Sequence, residues 1–260
     1  MISGSRPFAR DHIAQVGIGT LIIFIAMVLI ASVAASVLMQ TSSVLQQQAH
    51  STGKQATQEV SSNLVIKNIE GVRSMTGSNN MSGNISLLKV RVGLNVGSSP
   101  IDLNQLIVSI SDGTSTNDLI YANNERIYGN VMANFSASST YDVNLAHLLT
   151  GTQADPGANG RYFFTAQKIR DDDLSFSQIT PIINSGDLVT IYVSVVSADD
   201  QIYHSIDGIV TEGKQKDSDL NIAPRTRLNL VLTPDAGAIT VVEFLTPSSY
   251  GTRGTITLYP

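Results

Sequence analysis

The sequence has no cysteine and no tryptophan, only 6% aromatic residues, and just 14% of its 260 residues are charged. Without cysteine there is no disulfide framework, no thiolate zinc site and no cysteine nucleophile. The sparse aromatics argue against a stacking platform for single strands. A net charge of −5, from 16 Lys+Arg against 21 Asp+Glu, argues against the concentrated basic face that nucleic-acid binding needs. The four histidines, at 12, 50, 147 and 204, are scattered, and His147 and His204 have no carboxylate or serine partner at motif spacing. No residue constellation suggests an enzyme. Average soluble domains are about a quarter charged, so this chain hides something from water beyond an ordinary core.

The missing charge is concentrated in one place, because no Lys, Arg, Asp or Glu occurs between Asp11 and Lys54. Inside that gap, Ile18 to Met39 is almost wholly apolar. Its 22 or so residues make a helix of roughly 33 Å, long enough to span a bilayer. Arg6 and Arg10 precede it in a short polar leader, as in the basic region of a secretory signal. Beyond it the helical pattern continues: Leu45, Ala49, Thr52, Ala56, Val60 and Leu64 step by three or four, with Gln46, Lys54, Gln55 and Glu59 on the other faces. One helix of about 45 residues is expected, apolar all round in its first half and amphipathic in its second.

From Leu64 onward the period changes to two. Leu88, Val90, Val92, Leu94 and Val96 alternate with Lys89, Arg91, Gly93 and Asn95, and Leu228, Leu230 and Leu232 alternate with Asn229 and Val231. Similar segments lie near 103–111, 160–166, 187–197, 238–245 and 253–259, punctuated by turns such as Asp112-Gly113, Asp207-Gly208 and Thr233-Pro234-Asp235. Stretches 74–84, 111–124 and 129–160 are rich in Ser, Thr, Asn and Gly and read as surface loops. Eight or nine short strands without an intervening helix pattern predict an antiparallel, immunoglobulin-like β-sandwich. The expected organisation is a leader over 1–14, a helix over 15–62 and a β-sandwich over 63–260.

The run Gln15-Val16-Gly17-Ile18-Gly19-Thr20-Leu21-Ile22-Ile23-Phe24 closely resembles the N-terminal helix of archaellins, the filament subunits of the archaeal motility organelle. The resemblance continues through Val33-Ala34-Ala35-Ser36-Val37-Leu38 and returns at Ser185-Gly186-Asp187-Leu188-Val189, Leu232-Thr233-Pro234-Asp235-Ala236-Gly237 and Leu258-Tyr259-Pro260. It implies removal of the leader between Ala14 and Gln15 by a membrane-embedded prepilin-type peptidase. Gly19 stands where bacterial type IV pilins carry Glu, which favours archaellin over pilin. The leader departs from the family pattern, with Arg10-Asp11-His12-Ile13-Ala14 where basic residues followed by glycine are usual. The partners implied are copies of this chain, other archaellins, the peptidase, the membrane platform of the assembly machinery, and the membrane itself before assembly. The expected location is an extracellular filament used for swimming, with the precursor held in the cell membrane. A type IV pilin-like adhesion subunit and a membrane-anchored β-sandwich binding module are the alternatives.

On this reading Ile18, Leu21, Ile22, Phe24, Ile25, Ala26, Val28, Leu29, Ala34 and Leu38 pack as the filament core. Small residues such as Ala26, Ala34, Ala35 and Ser36 let neighbouring helices approach closely. Asn80-Met81-Ser82, Asn84-Ile85-Ser86 and Asn134-Phe135-Ser136 are glycosylation sequons. Asp171, Asp172 and Asp173, like Asp199 and Asp200, could contribute oxygens to a structural Ca²⁺, although a solvated acidic loop is the better expectation and no other cofactor is indicated. Gly208 to Gln215 comes close to a phosphate-binding loop but has Gln215 where Ser or Thr must ligate Mg²⁺.

Overall fold

The computed structural model describes residues 11–61, 63–77, 80–125, 131–153 and 157–260, with the α1 side chains described over 16–57. The chain divides into two compact units, Met1–Ala56 and Thr57–Pro260. A single helix, α1, runs over Asp11–Ser61 for 51 residues, somewhat longer than the sequence pattern predicts. Nothing interrupts it, because the stretch contains no proline, and its glycines 17, 19 and 53 sit in open space.

The second unit is built on one nine-stranded sheet. Its strands are β1 (Leu64–Val72), β2 (Leu87–Leu94), β3 (Ile107–Ser111), β4 (Thr116–Tyr121), β5 (Phe163–Arg170), β6 (Leu188–Ser194), β7 (Arg227–Thr233), β8 (Thr240–Leu245) and β9 (Thr255–Tyr259). They lie in the order β8-β7-β3-β4-β5-β6-β2-β1-β9. Every neighbouring pair is antiparallel except β4–β5, which are parallel and meet only at Phe163 with Ile120 and Phe164 with Tyr121.

That junction explains the second helix. Parallel neighbours cannot be joined by a tight turn and need a crossover. The β4-to-β5 connection carries α2 (Tyr141–Thr150), inside the segment that the sequence reading assigned to loop. Leu145, Leu148 and Leu149 recur at helical spacing, but dense Ser, Thr and Asn on either side mask them. They are buried together with Val72, Leu87, Phe163, Tyr192 and Val196 in a satellite cluster against the sheet. Strand β4 also corrects the loop assignment of 111–124: Asn117 and Asp118 break its apolar alternation, while Leu119, Ile120 and Tyr121 are buried.

The main core draws on both parts of the sheet. Leu64, Val90, Val92, Phe164, Ile191 and Val193 from β1, β2, β5 and β6 share one cluster with Val108, Ile110, Leu119, Leu228, Leu230 and Phe244 from β3, β4, β7 and β8. The alternation of Leu88 to Leu94 and of Leu228 to Leu232 thus faces this core, whereas Val96, read as the end of the first run, lies beyond β2 and is 99% exposed. All members of both clusters lie at Leu64 or later. A chain beginning at Thr57 should therefore be soluble and melt cooperatively. In it Leu230→Ala, at a fully buried position, should lose about 2–5 kcal/mol in urea denaturation through the cavity it leaves.

Candidate assembly helix and surface sites

The first unit presents an apolar surface of unusual size. Every described α1 side chain, from Val16 to Thr57, is exposed. The ten expected core positions are among them, from Ile25 at 49% to Leu38 at 69% for the large ones, with Ala26 and Ala34 exposed as well. The few hydroxyls in the apolar stretch are turned back onto the helix. Thr20 Oγ1 donates to Gly17 O at 3.0 Å, Ser32 Oγ to Leu29 O at 2.8 Å, Ser36 Oγ to Val33 O at 2.8 Å, and Thr41 Oγ1 to Val37 O at 2.9 Å. A helix with its backbone and hydroxyls satisfied internally can enter a dry environment without leaving polar groups unpaired. One of length and composition to cross a membrane is present, over Val16–Thr57. The expected cleavage position, Ala14–Gln15, lies in the first turns of α1 among side chains outside the described set, and residues 1–10 lie outside the described residues altogether.

The three sequons sit in different settings. Asn80 is exposed, but the hydroxyl of its sequon partner Ser82 is buried and donates to Asp200 Oδ1. Asn84 is half-buried with its amide donating to Ser197 Oγ at 3.3 Å, and its partner Ser86 donates to Asp200 Oδ2 at 3.0 Å. Asn134 is exposed in the left-handed region at φ 64°, and Ser136 is half-exposed, with its hydroxyl 3.3 Å from that of Ser138.

The acidic candidates separate in a similar way. Asp171 and Asp173 are brought together with Asp187, each offering an oxygen within 4.8 Å of the others, and Asp172 is outside the group. Asp187 belongs to a turn before β6 whose sequence drew notice only for its family resemblance, so its place beside the acidic loop is a product of the β5–β6 pairing. The trio has the oxygen donors that a hard cation takes. Lys168 Nζ already lies 2.8 Å from Asp171 Oδ2, and its hydrogen bond, with the backbone amides of Phe176 and Ser175, holds that carboxyl below the usual range. Asp173 accepts from Asn184 Nδ2 at 2.6 Å, and Asp187 from the Asn184 amide at 2.8 Å. Gln215, at the position that disqualifies the phosphate-loop reading, is buried, accepting from Ser74 Oγ at 2.7 Å and donating to Thr211 Oγ1 at 3.0 Å.

Asp200 departs from the solvated-loop expectation. It is 2% exposed, and burial pushes its carboxyl above the ordinary range, opposed by hydrogen bonds from Ser82, Ser86 and Ser197. The folded form therefore keeps this proton at pH values where the unfolded chain has released it. Stability from this group is full below the unfolded pKa near 3.8 and is lost as pH rises through the folded one. Asp200→Asn removes the titration. The melting-temperature difference between wild type and this variant should shift in favour of the wild type as pH falls from about 7 to about 4, measured by circular dichroism.

The model of the archaeal-type flagellin family matches residues 14–244. Flagellin B3 of Thermococcus kodakarensis is 36% identical over 250 residues, covering 90% of this chain and 93% of that protein. Flagellin B1 of Methanococcus voltae is 36% identical over 249 residues, covering 95% and 96%. Among solved structures, that described as the archaeal flagellum of Methanospirillum hungatei has a TM-score of 0.52 at 13% identity over 94% of this chain and 99% of that one, a likeness of fold. The family match takes in the apolar helix and all but the end of the β-rich unit, and the chain belongs to the archaeal-type flagellin family.

Proposed function

We propose that this chain is the repeating structural subunit of an extracellular archaeal flagellar filament used for swimming, its α1 helices packed as the core and its β-rich units forming the sheath. The observation that carries the reading is the exposed surface of α1, free of charge between Asp11 and Lys54, joined to a unit whose core is complete without it. Roughly 1,500 Å² of apolar side chain over Ile18 to Met39 is worth tens of kcal/mol at about 25 cal/mol per Å² once removed from water. A free subunit with that surface exposed would aggregate. Before assembly the bilayer covers it, and afterwards like helices do. The relatives carry the name flagellin, and the structure that shares this fold is described as an archaeal flagellum. The role needs no chemistry at a reacting centre, and a cation at Asp171, Asp173 and Asp187 would be structural.

In this reading the precursor lies in the membrane, a prepilin-type peptidase cuts between Ala14 and Gln15, and a membrane platform adds the trimmed subunit to the filament, alone or with other members of the family. Asn134 is the sequon most accessible to modification after folding; transfer to Asn80 or Asn84 has to precede burial of Ser82 and Ser86.

The length of α1 also suits a plain membrane anchor, and one substitution separates the two roles. Ala34→Asp places an unpaired carboxylate in the apolar run. In a bilayer this costs about 3 kcal/mol, tolerable in so apolar a segment. In a filament the charge is buried in every subunit at several kcal/mol each. The variant should insert in the membrane but give no filaments by electron microscopy and no swimming; filaments of normal length and number would turn the assignment toward an anchored binding module. Peptide mapping of purified wild-type filaments should recover Gln15 as the first residue, and peptides joining Arg10 to Val16 would refute the cleavage.

A further inference from the structure

The loop after β5 and the segment before β9 stand at opposite ends of the β1, β2, β5, β6 and β9 ladder. Arg170 pairs with Leu188, Leu188 with Gly93 and Gly93 with Val65, which places the loop following Arg170 where β1 begins. Val72 pairs with Thr255 and with Leu87, which places the segment preceding Thr255 where β1 ends. The nine residues of β1 set these ends about 30 Å apart.

At the first end Leu174 is 81% exposed with φ 58°, a left-handed conformation costly for a residue with a branched side chain. The Ser175 amide, donating to Asp171 Oδ1 and Asp173 Oδ1 at 3.1 Å each, holds the backbone there. An apolar side chain is thus presented to water by a backbone that resists the conformation, and Asp172 and Asp173 beside it are exposed.

At the other end Pro247, Tyr250, Thr252, Arg253 and Ile256 line a cavity of about 500 Å³, open to solvent and ample for a leucine side chain. Its wall is braced from beneath by Arg73. The guanidinium donates to Gly251 O at 3.0 Å, to Arg253 O at 3.1 Å and to Ser82 O at 2.6 Å, and lies 5.9 Å from the Tyr250 ring centroid. Arg225 and Arg253 are exposed at this end, and neither forms an ion pair among the described residues. One end therefore offers an apolar knob beside carboxylates, and the other an open hole in which Pro247, Tyr250 and Ile256 supply the apolar wall, beside guanidinium groups that form no ion pair among the described residues.

We propose that Leu174 of one copy seats in the Tyr250–Ile256 cavity of the next, with Asp172 facing Arg253, so that the β-rich units join head to tail. The contact pairs two different patches on opposite ends of the body, and such contacts repeat without closing on themselves. The proposal rests on the filament reading and names the surfaces of the sheath that meet.

The absence of cysteine makes a cross-link decisive. Filaments are sheared from cells whose sole subunit carries Leu174→Cys and Thr252→Cys, both at exposed positions, then oxidised and run on a non-reducing gel. A disulfide forms only between Cβ atoms about 4 Å apart, so the double variant should give a ladder of dimers, trimers and longer species while each single variant stays monomeric. Intact filaments without a ladder overturn the proposal, as do dimers from either single variant, which would bring like patches together. Should the pair block assembly, Leu174→Lys decides: filaments per cell should fall roughly tenfold or more, because an ammonium group would be driven against Arg253 in the cavity wall. An unchanged count overturns the proposal. Wild-type cells without any filament of this chain would instead refute the filament reading.

Discussion

The surface of α1 has to leave water, and the rest of the molecule is arranged so that it can. No charge occurs between Asp11 and Lys54, so neither a bilayer nor a bundle of identical helices meets an ion to desolvate. The hydroxyls of Thr20, Ser32, Ser36 and Thr41 are returned to the helix backbone. The same surface therefore suits lipid and protein alike. The clusters of the β-rich unit borrow nothing from α1, so its core is the same whatever covers the helix.

Much of this was legible from the residues. A helix unbroken by charge or proline declares itself through composition, and the strands whose apolar residues alternate cleanly, such as β2 and β7, were visible through period two. What escaped were the elements whose reason lies elsewhere in the fold. Strand β4 carries Asn117 and Asp118 because their partners lie elsewhere in the fold: Asn117 Nδ2 donates to Ser218 O at 2.7 Å in a distant loop, and Asp118 accepts from Ser109 Oγ across the β3 pairing. Helix α2 exists because β4 and β5 are parallel, and a pairing across forty residues leaves no local signature.

The candidate sites show the same division. The sequons and the acidic run were evident as strings of letters, but their settings were not. Asp200 looked like a surface acid and is instead the buried acceptor that ties Ser82 and Ser86 together. Asp187 joins Asp171 and Asp173 only because β6 runs back alongside β5. Local sequence gives the inventory of groups, and long-range pairing decides which of them share a space.

The β4–β5 junction also bears on how the β-rich unit carries load. Elsewhere along the sheet neighbouring strands exchange hydrogen bonds over several residues, but here the ladder narrows to two residue pairs, with Ile120 N on Tyr162 O at 2.9 Å and Ala122 N on Phe164 O at 3.0 Å. Stiffness across that line comes from interdigitated side chains, Tyr121 edge-on to Phe164 with ring centroids 5.7 Å apart, rather than from a run of backbone bonds. Packed rings resist compression well and sliding poorly. A force that slides one half of the sheet past the other would find in this seam the line with the fewest backbone hydrogen bonds to break.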